Sequence, residues 1–154
     1  MSLQRRIRSA LLASLLGWIA GMAAGLPFQI VEAVRNAGAG SRLLAYELGV
    51  VLSLWSVLTF AMALYWCGFF LLPIVWLVSS AWILRHRQLW IAASPVFGVI
   101  LMAVRLHLWT AFEHDGISVI NFWMYAVFAG TFFVATAALY AKFLSAASSD
   151  EIPA

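Results

Sequence analysis

The sequence predicts an all-α fold, a polytopic transmembrane helical bundle of four spans. Three observations carry that reading: the composition, the length of the apolar runs, and where the charges fall. The chain has 154 residues, 65% of them hydrophobic and 10% charged, against about 25% charged in an average soluble domain. A soluble domain this short has too little interior to hide that much apolar surface. The bilayer must therefore supply the apolar environment.

The first span is expected at residues 7–34, with Pro27 and Gln29 in its last third. The basic start "MSLQRRIRSALL" resembles that of a secretory signal, but the apolar run is too long for one, so an uncleaved span is expected. A Gly- and Ala-rich loop, "EAVRNAGAGSR", follows. Residues 43–84 are apolar throughout except for Glu47. A span needs about 20 residues, so this stretch reads either as one span over 57–84 preceded by an apolar helical segment at 43–56, or as two spans turning near Gly68, which would make five in all. In the single-span reading Pro73 kinks the helix. A third span is expected at 89–109 and a fourth at 119–144. Trp90 and Trp109 bracket the third, about 28 Å apart on a helix, which matches the hydrocarbon thickness. Trp123 and Tyr140 bracket the fourth in the same way. The small, polar tail at 145–154 is expected to be disordered.

Charge chooses between four spans and five. With four spans and both termini cytoplasmic, the inside holds Arg5, Arg6, Arg8, Arg85, Arg87 and Lys142. The outside holds Arg35 and Arg42, with Arg105 near that face. A fifth span would move Arg85 and Arg87 outside and erase the bias, so the positive-inside tendency favours four. The same clustering at span ends argues against a nucleic-acid partner. The low lysine and high arginine and alanine suggest a bacterial inner-membrane protein.

Residues able to do chemistry are few. Cys67 is the sole cysteine and lies in an apolar run, which excludes an intrachain disulfide, paired-thiol redox chemistry and a zinc knuckle. No P-loop, dinucleotide fingerprint, nucleophile elbow or HExxH is present. His86 and His107 fall at opposite membrane faces, which disfavours a bis-histidine haem. Neither metal nor cofactor is expected. The unusual polar residues collect at the outer face: Glu47, Arg105, His107, Glu113, His114 and Asp115. "EHDG" has the residue types of acid–base catalysis, but a hydrated turn needs no more than that. Arg105 lies one helical turn from Trp109, about 6 Å below the interface. It reads first as a snorkelling anchor. A buried pair with Glu47, at similar depth, is the alternative.

The sharpest motif is in the first span. Ala13, Gly17, Gly21 and Gly25 recur every four residues, a stripe of small side chains along one helix. In lipid, such a stripe marks close helix packing. Together these features point to a non-enzymatic accessory or assembly component that packs against a membrane partner, either another membrane protein or a second copy of itself. A small oligomeric transporter or channel with a polar site near the outer face is the alternative. A membrane enzyme acting on lipid comes third.

Overall fold

The computed structural model describes residues 2–37, 41–110 and 119–149, with side chains placed for 2–35, 45–104 and 123–147. The described chain is helical almost throughout: α1 (Leu3–Ala37), α2 (Ser41–Trp66), a π-helical turn (Cys67–Leu71), α3 (Leu72–Leu77), α4 (Ser80–Arg85), α5 (Arg87–Thr110) and α6 (Val119–Ser149). Four stretches are long and apolar enough to cross a membrane: Leu3–Arg35, Ala45–Leu77, Arg87–Val104 and Trp123–Ala147. Of these, the α6 stretch is the most buried and the α5 stretch the least.

The ambiguous region 43–84 is one helical path from Ser41 to Leu77 rather than a hairpin. Gly68 does not turn the chain. It sits in the π-helical turn, where the Leu72 N–H donates to the Cys67 carbonyl five residues back. Pro73 supplies a reason. It has no N–H, and its ring would press on a carbonyl of the preceding turn. Widening that turn by one residue relieves the crowding.

The second span differs from the expected 57–84 at both ends. Nothing in 43–56 interrupts the helix, so its apolar lead-in is part of the same rod. The helix then stops at Leu77, because Val78 and Ser79 adopt extended backbone. The Ser79 hydroxyl accepts from the Trp82 N–H and caps α4, a short helix that the sequence reading had merged into the span. At the far end of the chain, 145–149 continue α6 instead of opening the disordered tail. Residues 150–154 lie outside the described residues.

The break after α3 leaves a carbonyl facing the bundle. A guanidinium Nη of Arg6 donates to the Val78 oxygen, and Arg6 also lies beside the buried Tyr140 hydroxyl. A cation at the C-terminal end of a helix is favourable, and a charge-assisted bond is stronger than a neutral one. Tyr140, expected as an interfacial ring, is instead fully buried in a cluster with Ala10, Ala13, Val75, Ile83 and Leu144.

The helices are held together by α1 and α6. The buried positions of α1 include Ala13, Gly17, Gly21, Gly25, Gln29 and Ala33, each four residues from the last. A Cβ on Gly17 would lie 2.1 Å from Thr136 Oγ1 and 3.0 Å from the Phe132 carbonyl. One on Gly21 would lie 2.9 Å from the Phe128 ring and 3.1 Å from its carbonyl. One on Gly25 would meet the Trp55 ring of α2 at 2.6 Å. The stripe thus seats α6 at Gly17 and Gly21 and α2 at Gly25. Polar contacts join the same helices: Trp18 Nε1 donates to Thr59 Oγ1 at 3.1 Å, and the Gln29 amide donates to Met124 Sδ. On the other side of α6, Gly98 of α5 sits against Phe133 and the Ala129 carbonyl.

Two predictions follow from these contacts. Gly21→Leu should force α1 off α6 and destabilise the purified protein in detergent by about 1–3 kcal/mol or more, the range for overpacked interiors. Met22→Leu on the adjacent face should change stability by less than about 0.5 kcal/mol. Thermal unfolding followed by circular dichroism reads both. A Gly21→Leu protein as stable as the parent would mean that the stripe does not hold these helices. By the same measurement, Arg6→Ala should destabilise by about 1.5–3 kcal/mol, the worth of a hydrogen bond to a charged group. Exposed Arg8 serves as control: Arg8→Ala should be near neutral.

Candidate functional site

The polar residues expected at the outer face are distributed unevenly over the described chain. Glu47 is half-buried on the second turn of α2. Arg105 and His107 fall in the last part of α5, but their side chains lie outside the described residues, and Glu113, His114 and Asp115 lie outside them altogether. Connectivity brings the start of α2 and the end of α5 to one end of the bundle. Among the described residues, no three His, Cys, Asp or Glu side chains stand close enough to hold a metal ion. Ala13, Gly17, Gly21 and Gly25 are all buried, and the glycines make the close helix contacts given above.

The feature with the most chemical definition lies elsewhere, in the half of the bundle toward the α1 N-terminus. Here α3 and α5 stand apart, with α1 and α6 behind them, and the space between is a cavity of about 260 Å³. The π-helical turn supplies Cys67, Phe70 and Leu71, three of its five residues. Helix α5 supplies Trp90, Ala93, Ser94 and Phe97. Helix α6 supplies Phe132, Phe133, Thr136 and Ala137, and α1 contributes Ser14. Phe70 and Phe97 meet edge to face across the mouth, ring centres 5.6 Å apart. Phe97 turns a second edge-to-face contact onto Phe133 at 5.7 Å, and Trp66 lies 5.0 Å from that same ring. Such pairings are favourable for aromatic quadrupoles and fix the walls of the space. Ala93 and Phe97 are exposed, which places the open side along α5.

Three residues that line this apolar space carry a buried polar atom with no hydrogen-bond partner, Ser14 Oγ, Thr136 Oγ1 and Trp90 Nε1, and none of these atoms is exposed to the space itself. Ser14 and Thr136 are 6% and 5% exposed. Other helical hydroxyls in this protein satisfy themselves on their own helix. Ser53, Ser56 and Thr59 donate to the carbonyls of Gly49, Leu52 and Trp55, four residues back, each at 2.7 Å. Ser94 donates to the Ile91 carbonyl at 2.8 Å. That local bond is the usual recourse of a hydroxyl inside a helix. Ser14 and Thr136 do not take it.

The sequence reading missed this cavity. Its residues come from every helix but α4, so no local pattern announces it. The only sequence signal was Pro73, which marked a disturbance in the second span without showing where the displaced side chains would point. Comparison with protein-family models, with curated proteins and with solved structures gives no match.

Proposed function

We propose that this chain is a non-enzymatic accessory component of a bacterial inner membrane, both termini cytoplasmic, that works by packing against a membrane partner. The observation that carries this reading is the state of α5. Its main neighbour in the bundle is α6, on the side marked by Gly98 and Met102, with slighter contacts to the short α4 and, through Phe97, to Phe70 of the π-helical turn. The opposite side presents Val96, Ile100 and Val104, four residues apart and all more than half exposed. The glycine stripe of α1 has internal neighbours, so an external docking face has to be sought elsewhere, and α5 is the least covered of the four long helices.

The transporter reading has less to stand on. The interior between α2 and α6 is filled by Trp55, Trp66, Phe128 and Phe132, which leaves no polar route along the axis among these described residues. The lipid-enzyme reading rests on Glu113, His114 and Asp115, which lie outside the described residues. The cytoplasmic placement of the termini is supported by the charge count, since Arg5, Arg6, Arg8, Arg85, Arg87 and Lys142 all belong to the end of the bundle where α1 begins and α6 ends.

Purification in mild detergent with mass spectrometry tests the partner. A stoichiometric second protein should copurify with the parent chain and be lost from a Val96→Trp, Ile100→Trp variant whose own melting temperature is unchanged. A uniform oligomer of this chain alone would support the transporter reading instead. Topology is tested with single cysteines at 85–88 in a Cys67→Ser background. An impermeant thiol reagent should label them only after the cells are opened, and labelling of intact cells would contradict the four-span orientation.

A further inference from the structure

The cavity between α3 and α5 opens to the outside of the bundle at Ala93 and Phe97, both exposed. Its wall is apolar, so a polar group entering it would lose its hydrogen bonds to solvent and find none in return. What fits is hydrocarbon, and a void left unfilled forfeits the dispersion of its lining. An apolar cavity of about 150 Å³ takes up the six carbons of benzene, so in the same proportion about 260 Å³ holds roughly ten carbons. That is a length of lipid chain without its headgroup. The space also follows α5. Trp90, Ser94 and Phe97 line it, at spacings of four and three residues that keep them on one side of the helix. Exposed Arg87 continues that side by one turn toward the end of the bundle where α1 begins. From Arg87 to Phe97 the helix rises about 15 Å, half the hydrocarbon thickness and so the depth of one leaflet.

Charge selects the kind of lipid. Arg85 and Arg87 flank the corner between α4 and α5, and both are exposed. Arg8 and Lys142, also exposed, belong to the same end. Among the described residues no carboxylate stands there: Glu32 lies in the last part of α1 and Glu47 in the first part of α2, at the opposite end. A basic rim beside a space between membrane helices is an arrangement that takes an anionic lipid headgroup. We propose that one anionic phospholipid is held here, with an acyl chain in the cavity between α3 and α5 and its phosphate beside Arg87 and Arg85. The chain enters past Ala93 and Phe97. It fills the space beside the π-helical turn and so completes the packing of α5, the least buried of the four long helices. The proposal takes the protein as membrane-spanning and needs no protein partner on α5.

The test titrates the full-length protein, delipidated in a non-ionic detergent, with dioleoylphosphatidylglycerol or dioleoylphosphatidylcholine. The two lipids share their chains and differ in headgroup charge. Native mass spectrometry counts the lipids retained, and thermal unfolding reads their effect on stability. The protein should retain one phosphatidylglycerol saturably and melt at a higher temperature with it. Phosphatidylcholine should need at least about ten-fold higher concentration, since two basic side chains each favour the anion about five-fold. Arg87→Gln should raise the half-saturating concentration of phosphatidylglycerol about five-fold and leave that of phosphatidylcholine unchanged. Arg8→Gln, at the same end but on α1, should bind like the parent. Ala93→Phe puts a ring in the mouth and should abolish retention of both lipids. Ala93 is exposed, so this variant should melt like the parent when no lipid is added. Glycerol phosphate, the headgroup without chains, tests the cavity independently of any variant and should neither bind nor shift the melting temperature. Equal retention of the two lipids would overturn the proposal. So would phosphatidylglycerol binding that survives Ala93→Phe or that glycerol phosphate reproduces, since attraction to surface charge would then suffice. Retention of neither lipid would overturn it as well. The isolated protein is used throughout, so failure here is distinct from failure of a partner to dock on α5.

Discussion

Everything in this fold rests on how closely α1 and α6 approach. In water, burial of apolar surface would draw the helices together whatever the detail of their faces. In lipid that force is absent, because lipid chains are as apolar as the side chains. What remains is dispersion, which needs contact and falls away within a fraction of an ångström. Gly17 and Gly21 provide the contact by having no side chain: a Cβ at either position would run into the Phe132 or Phe128 carbonyl as well as a side chain. Glycine in a helix carries an entropic penalty of about 0.5–1 kcal/mol per residue relative to alanine. For helices that cross a bilayer, the helix is the one conformation that satisfies a lone segment's backbone, so there the penalty is less than in water, and the gain in contact is greater. Gly98 repeats the device on the other side of α6. Helix α6 is therefore clasped between two glycine-faced helices and becomes the most buried stretch in the molecule.

The second span solves a different problem. It carries a proline in its lower third, and its helix ends before the chain has left the bundle. The π-helical turn at Cys67–Leu71 accommodates Pro73, and Arg6 takes up the carbonyl exposed at Val78. These two irregularities hold the lower part of the span in a course different from that of α5. The cavity is the space that results. The unpartnered Thr136 hydroxyl does not face it: that oxygen is shut into the α1–α6 contact against Gly17.

Much of this was legible from sequence, and the limits have physical causes. Composition and run length predict four membrane-crossing helices because the hydrocarbon thickness fixes how many apolar residues a span requires, and the described chain has four helices long and apolar enough to cross. The stripe Ala13, Gly17, Gly21, Gly25 was readable as a packing face because helical period turns spacing into geometry. Which helix it would seat was not readable, since that depends on tertiary register. The end of the second span was misplaced because hydropathy sees residues 78–84 as apolar, whereas the signal there is a cap: Ser79 ahead of Trp82. The cavity was invisible because it is made of gaps between helices far apart in sequence, joining Ser14, Phe70, Trp90 and Thr136. The polar cluster around Arg105 was conspicuous in sequence for the opposite reason, since charges stand out against an apolar background wherever they lie.

The α1–α6 contact at Gly17 can be measured by itself with a double-mutant cycle. Gly17→Ala places a methyl group 2.1 Å from Thr136 Oγ1, and Thr136→Ala removes that oxygen. If the two helices meet there, the double variant should be more stable than the sum of the single effects, with a coupling of about 0.5–3 kcal/mol. Part of the loss should remain, because the Phe132 carbonyl at 3.0 Å still confronts the new methyl group. Strictly additive effects in thermal unfolding would mean that Gly17 does not face Thr136, and would remove the contact on which this account of the fold depends.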